Sequence, residues 1–409
     1  MDFSLTEEQR MVQKTIRDFV NKELIPLEND VLKNEREGRP GISREQLKEL
    51  QLKAKKAGFW GINTPEEYGG ANLDPITSAI VTMEQYRTFV PFEFGGHAHN
   101  ILYACNEEQK QRYLVPVVNG EKIPCFALTE PSGGSDPQMN TTAVRDGDEY
   151  ILNGEKVFIT RGMEADFAVV FASTDKSKGR SGGVTAFLVD REMGWRSEPI
   201  QTMGGTWEPA QLIFDNVRVP KENIIGEEGK GFKYAMMFIN HNRGWVIPAR
   251  SIGAAERLLE MSIDYANTRV TFGKPIGTNQ AIQWMIADSA TEIEAAKWIM
   301  FRAAWMADQE GSWNSDKNDS IKFRHQASMS KLYGTNMVNR VVDRAIQIHG
   351  GMGFTKEFPI ERWYRNLRVW RVYEGSDEML RRTISKHLLD EQIKPGELMP
   401  SIKDSLVLK

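Results

Sequence analysis

Cysteine is scarce in this chain: Cys105 and Cys125 are the only two in 409 residues. Two thiols without metal-ligand spacing exclude a disulfide framework and a thiolate metal site, and leave two buried apolar side chains as the simplest reading. No run of about 18 apolar residues exists that could cross a bilayer as a helix. The opening MDFSLTEEQRMVQKTIRDFV enters helical periodicity at once, without the charged stub and apolar stretch of a leader. A basic excess is also lacking. With 52 Lys and Arg against 56 Asp and Glu, the formal charge is -4, so neither a phosphate backbone nor an anionic membrane is the expected partner. Internal repeats and low-complexity tracts are absent too. A soluble, cytoplasmic protein of two or three lobes is expected from that length and from 40% hydrophobic content.

What is present falls into three blocks. Residues 1–122 alternate helix-like segments with loops: 3–23 and 43–56 carry apolar residues at helical spacing, Ser43 and Gln46 are placed for a capping box, and helical patterning recurs at 76–86 and 107–117. Residues 123–230 change period. EYILNGEKVFIT reads as two β-rich runs about Asn153-Gly154, a strong hairpin signal, and FAVVFAST, GVTAFLVD and AQLIFDNVRVP follow as short strands. Residues 231–390 return to helix, with the segments 251–269, 279–309 and 328–350 long enough for an antiparallel four-helix arrangement. The final stretch, 391–409, reads as a tail, loose or laid on a neighbouring subunit. The fold class is thus α+β: an N-terminal helical domain, a small central β-barrel or sandwich domain, and a C-terminal four-helix bundle.

Several short motifs could carry chemistry. CFALTEPSGGSDP, 125–137, follows an apolar strand with small residues whose backbone amides and hydroxyls suit flavin edges or phosphates; a tight turn explains it equally. In KVFITRG, Phe158 and Thr160 share one face of a strand, suiting a stacked ring with a hydroxyl donor, or ordinary packing. QIHGGMGF, 347–354, could admit a diphosphate or simply end a helix, and Arg269 in RVTFGKP could meet a phosphate or solvent. His97 and His99 in EFGGHAHN stand one residue apart without a third ligand at metal-site spacing, which argues against a metal.

In this order and spacing the motifs resemble the acyl-CoA dehydrogenase family of flavoproteins, from FSLTEEQ to YEGSDEMLRRTISKHLL. The resemblance implies FAD as cofactor, an acyl-CoA substrate, an electron-transferring flavoprotein as acceptor, and a homotetramer built of two dimers. Carried over by position, it places Phe126, Leu128, Thr129, Gly134 and Ser135 at the flavin, with Ser135 also toward the pantetheine arm. Phe158 would stack on the isoalloxazine and Thr160 donate to flavin N5. Arg269, Phe272 and Gln280 would reach the FAD of the neighbouring chain, and Gln347, Gly350 and Gly351 would cradle its diphosphate and adenosine. Ser376 and Glu378 would close over the cofactor, although many members carry glutamine where Glu378 stands.

Glu374 occupies the YEG position of the family's catalytic base. The resemblance implies that it removes the α-proton of the thioester while the β-hydrogen leaves as hydride to flavin N5. Its backbone amide and a flavin ribose hydroxyl would hold the thioester carbonyl. Val369, Trp370, Val372 and Tyr373 around it should raise its pKa towards neutrality. FINHNRGWVIPARSIG, where a few relatives place the base instead, contains no acid. That stretch also departs from the pattern: many members have an arginine nine residues before the glycine matching Gly253, whereas here Gly244 holds that position and Arg243 precedes it. Arg243, Phe94, His97, Tyr373 and Gly375 are the further expected substrate contacts, and the two histidines favour a short, polar or cyclic acyl group. A same-fold oxidase, an enoyl-CoA reductase and a silent acyl-CoA binding protein are the alternatives.

Overall fold

The computed structural model describes residues 4–134, 139–204, 208–309 and 320–395. The first helices are α1 (Glu7–Phe19), α2 (Glu28–Arg36), α3 (Arg44–Lys56) and α4 (Pro75–Gln85), followed by the short α5 (Glu107–Gln109) and α6 (Val115–Val118). Capping boxes start α1 at Thr6 and α3 at Ser43, each with a Gln three residues on answering the cap. α4 is buried along nearly its whole length, so it acts as the internal strut on which the first lobe meets the C-terminal helices.

The strands are β1 (Pro124–Ala127), β2 (Thr142–Asp146), β3 (Glu149–Ile159), β4 (Phe167–Ser173), β5 (Val184–Asp190), β6 (Arg196–Pro199) and β7 (Ala210–Pro220). They form one seven-stranded sheet in the order β1-β4-β2-β3-β7-β6, with β5 paired to β4. β4 is buried at every position, as expected of a strand covered on both faces.

The hairpin expected at Asn153-Gly154 is corrected by this register. β3 runs straight through those residues, and the turn between β2 and β3 lies at Asp146–Glu149, where Gly147 has a φ of +65°. Between Leu152 and Gly154 the pairing of β3 with β7 shifts by one residue. The additional residue sits in β7, where Asn216 adopts a left-handed φ of +52° and its N–H donates to Asn153 Oδ1 at 2.8 Å. Gly154 is required because a Cβ there would lie 2.6 Å from Thr141 Cα. The dipeptide thus serves a β-bulge, which also favours glycine. β2 and β6 were not anticipated from the sequence.

After the sheet come α7 (Gly231–His241), α8 (Ile247–Thr268), a two-strand hairpin β8 (Val270–Thr271) and β9 (Lys274–Pro275), α9 (Gln280–Gln309), α10 (Ile321–His349), α11 (Gly351–Phe354), α12 (Ile360–Arg368) and α13 (Asp377–Leu389). The long helices pack around Ile252, Leu258, Met300, Phe323, Val338 and Val342, in a core continuous with Ile16, Val20 and Leu24 of the first lobe. α10 is the central member, lying against α8, α9, α12 and α13.

Candidate active site

Glu374 lies in the turn between α12 and α13, and its backbone is held in a left-handed conformation, φ +54°, followed by Gly375 at φ +94°. Such angles strain a side-chain-bearing residue and are kept where surroundings enforce them. Here two cations do so. Arg243 Nε donates to Glu374 O at 2.5 Å, and Lys331 Nζ, from the middle of α10, donates to Gly375 O at 2.8 Å. A Cβ on residue 375 would sit 2.4 Å from Arg243 Nη2.

The Glu374 side chain has asymmetric surroundings. Asn242 Nδ2 donates to Oε1 at 3.2 Å, while Oε2 is buried with no hydrogen-bond partner among the described residues. Burial pushes its pKa up to about 7, against the opposing pull of Arg243, Asn242, Lys331 and Arg250. The expected direction is therefore found, but the environment is less apolar than the flanking residues suggested: Val369 and Val372 are exposed, and the shielding comes from packing against α8, α10 and the turn preceding α8.

That turn explains Arg243. Asn242–Val246 is π-helical, with Ile247 N–H reaching back to Asn242 O, so it absorbs one residue more than an α-turn. Arg243 stands ten residues before Gly253 instead of nine. The wide turn directs Asn242 and Arg243 onto the Glu374 turn, where the Arg243 guanidinium is buried enough for desolvation to lower its pKa. Arg243, expected as a substrate contact, is thus held against the backbone of the Glu374 turn.

Asn242 also lines a small, partly open recess with His97, Asn100, Tyr103, Phe238 and His241. His97 is exposed and His99 half-buried; the His99 ring sits 4.8 Å from that of Phe238, which packs 4.5 Å from Phe126. Desolvation holds His99 down to about 3, so it is neutral. Phe94 is buried beneath, against Phe92 and Phe59. Burial raises the pKa of the Tyr373 hydroxyl, against the opposing pull of the nearby Arg250 guanidinium.

The β lobe contributes a second cluster. Phe126, Leu128 and Thr129 are half-buried at the end of β1, and Val157 N–H donates to Thr129 O at 2.9 Å. Below them, fully buried Lys156 donates to Leu128 O at 3.0 Å and to Glu130 Oε1 at 2.8 Å. Glu130 in turn accepts the N–H groups of Asn140 and Thr141. This buried pair ties the loop after β1 to β3. At the end of β3 a second bulge, between Lys156 and Ile159, places Phe158 at φ +58° and leaves it 63% exposed, with Thr160 also outward. Gly134 is exposed, its Cα facing Thr129. Ser135 lies outside the described residues. A large apolar ring held open to solvent by a bulge, beside two threonine hydroxyls, fits the face of a planar tricyclic ring system such as a flavin.

A third group lies elsewhere. Arg269 and Gln280 are exposed at the end of α8 and the start of α9, and Phe272, at the tip of the β8–β9 hairpin, is fully exposed. Gln347, Gly350 and Gly351 lie exposed where α10 ends. Gln347 is sixteen residues beyond Lys331 on α10, or about 24 Å along the helix. This set is therefore not brought to the Glu374 turn of its own chain. Ser376 caps α13 through Met379 N–H, and Glu378 is exposed in its first turn, its carboxyl held below the usual range by its own backbone N–H and by Ser376.

Sequence reasoning missed Asn242, Lys331, Arg250 and the Lys156–Glu130 pair. A signal existed for the lysines: Lys331 falls on the buried stripe of α10 with Ala327 and Val338, and Lys156 on the inward face of β3 with Leu152. Each is a charge at an apolar position.

Comparison with known proteins agrees over nearly the whole length. The acyl-CoA dehydrogenase N-terminal, middle and C-terminal domain models match residues 6–121, 125–217 and 229–389. A subunit of a caffeyl-CoA reductase–Etf complex from Acetobacterium woodii is 39% identical, over 94% of this chain and 99% of that protein. An acyl-CoA dehydrogenase from Bacillus subtilis is 36% identical, with the same coverage. The crystal structure of an acyl-CoA dehydrogenase complexed with FAD from Bacillus anthracis superposes with a TM-score of 0.83 at 32% identity, covering 95% of this chain and 68% of that one. The chain belongs to the acyl-CoA dehydrogenase family of FAD-dependent oxidoreductases.

Proposed function

We propose that Glu374 is the base that removes the α-proton of a bound acyl-CoA thioester. The observation carrying this reading is the buried, unpartnered Oε2 of a carboxylate whose pKa is raised to about 7. A base near neutrality is both sufficiently ionised and sufficiently basic at physiological pH. Oε2 takes the proton, Asn242 keeps Oε1 oriented, and the Glu374 backbone N–H is assigned to the thioester carbonyl, where charge develops as the proton leaves. FAD, when bound, would supply the acceptor for the β-hydrogen, which leaves as hydride. Phe158, Thr129 and Thr160 are the residues that would hold its ring, and Lys156 keeps their loop in register.

Arg269, Phe272, Gln280, Gln347, Gly350 and Gly351 serve a neighbouring subunit's cofactor in this reading, within a homotetramer. Their distance from Glu374 along α10 and the full exposure of Phe272 support it. Electrons pass to an electron-transferring flavoprotein. Among the described residues no helix is long and apolar enough to cross a membrane, in keeping with the cytoplasmic assignment. The substrate carries a short, polar or cyclic acyl group, supported by the polar side chains of His97 and Asn100 in the recess beside Asn242. The reductive direction is the second reading, favoured by the 39% identity to the caffeyl-CoA reductase subunit.

Anaerobic titration of the yellow protein with a panel of acyl-CoAs tests this. Bleaching by short or cyclic acyl-CoAs is expected, and best turnover on long saturated chains would remove the substrate assignment. Glu374→Gln should keep colour and thioester affinity while slowing flavin reduction by roughly 10²–10⁴-fold. Near-parental reduction by that variant contradicts the assignment of the base.

A further inference from the structure

Lys331 is a fully buried lysine in the interior of α10. Among the described residues its ammonium bonds to a backbone carbonyl, Gly375 O at 2.8 Å, and has no ion pair with a carboxylate. The acid closest in sequence to that turn, Asp377, bonds through Oδ2 to Arg371 Nε at 2.9 Å and Asn336 Nδ2 at 3.0 Å, while its Oδ1 is buried without a hydrogen bond among the described residues and its charge also acts on Lys331 without a direct bond. Filling this space requires only an apolar side chain, and a buried charge costs free energy that leucine or methionine would avoid. Helix packing therefore does not account for a lysine here.

Two features of the turn do. Its backbone is left-handed at both Glu374 and Gly375, a conformation that persists only when bonded in place. The Glu374 carboxylate is desolvated, and the charged groups acting on it come from three elements: Arg243 of the π turn, Arg250 of α8 and Lys331 of α10. Lys331 is itself influenced by Asp377, Arg243, Glu374 and Arg371.

We propose that Lys331 is a positioning residue for the base: its buried ammonium braces the Glu374–Gly375 turn through Gly375 O and keeps the Glu374 carboxylate ionised for proton abstraction. This rests on the reading of Glu374 as the base. Lys331 does not touch the reacting atoms; it acts through the turn and through charge.

The sign of the effect follows from removing a cation near a carboxylate, which raises the pKa of the acid. Flavin reduction requires ionised Glu374, so the acidic limb of its pH profile should move to higher pH. The test uses the FAD-loaded protein in four forms: parent, Lys331→Gln, Lys331→Met and Lys331→Arg. Glutamine can still donate to Gly375 O but is neutral. It should move the midpoint up by about one pH unit, slow reduction about fivefold at pH 7 and recover near the parental rate at high pH. Methionine should show the same displacement plus a loss that persists at high pH, because the turn is unbraced. Arginine should leave the midpoint in place. Acyl-CoA affinity should stay within about twofold throughout.

An infrared difference titration of the Glu374 carboxyl, identified by loss of its band in Glu374→Gln, reads the same midpoint without turnover. If that midpoint is unmoved in Lys331→Gln, Lys331 is a packing residue only and the proposal is overturned; this variant also decides the matter should Lys331→Met fail to fold. Normal reduction by Glu374→Gln would instead remove the base assignment, while the infrared arm still reports whether Lys331 and Glu374 are coupled.

Discussion

Among the described residues two lysines are completely buried, and they are held in opposite ways. Lys156, in the β lobe, is paired with Glu130 at 2.8 Å, and desolvation lowers its pKa to about 8. Lys331, in the helical lobe, is lowered to about 8 for the same reason but bonds to a carbonyl, near a carboxylate that is left reactive. A closed ion pair neutralises its members and fixes a loop. An ammonium bonded only to backbone keeps its field available to a neighbour. The contrast shows that equal burial of the same residue type can serve shape in one lobe and charge in the other.

The largest effect that could break this comparison is expected in the β lobe. Lys156→Met leaves the Glu130 carboxylate buried without its cation and should lower unfolding free energy by about 3–5 kcal/mol. Adding Glu130→Gln should recover part of that loss, as thermal unfolding of the single and double variants would show. Should Lys331→Met cost as much stability as Lys156→Met, the distinction between a structural and an electrostatic lysine would fail.

Gly375→Ala comes next. It combines a φ of +94° with a Cβ 2.4 Å from Arg243 Nη2, so the base turn must move. Displacement of that kind costs up to roughly 100-fold in flavin reduction, with acyl-CoA affinity less affected; stopped-flow bleaching separates the two. Asn242→Ala is a milder probe of the same turn. Loss of the Oε1 hydrogen bond should raise the Glu374 midpoint above about 7, so activity declines most on the acid side and recovers at higher pH. A midpoint unchanged in a pH-rate profile would mean that Asn242 only fills space.

The smallest effect on the chain itself belongs to Phe272→Ala. A fully exposed ring has little to lose on unfolding, and a change within about 0.5 kcal/mol is expected. FAD retention and subunit association, read by gel filtration and the flavin-to-protein absorbance ratio, should fall instead. Unaltered retention would place the third cluster outside the cofactor site.

Local rules made much of this legible. Ser43 and Gln46 announced a helix start, the 30 residues of α9 followed from periodicity, and the alternation in KVFIT put Phe158 and Thr160 on one face, though not the bulge that exposes Phe158. Non-local pairing was less accessible. Asn153-Gly154 satisfies a hairpin turn and a bulge equally well, and only the register with β7 separates them. Charges were harder still. That Arg243 meets a backbone carbonyl depends on a π turn its residue types do not announce, and whether Lys331 is solvated depends on four helices converging on α10.

The π turn at Asn242–Val246 shows how length can be used where composition cannot. A single inserted residue rotates everything on one side of it by roughly 100° about the helix axis, so the same side chains can be presented to a different wall of the molecule without any being replaced. Excising one position there would wind the segment back to ordinary pitch and swing Asn242 and Arg243 off the base. A lineage could therefore retune this carboxylate by a three-nucleotide insertion or deletion, with every residue type around it unchanged.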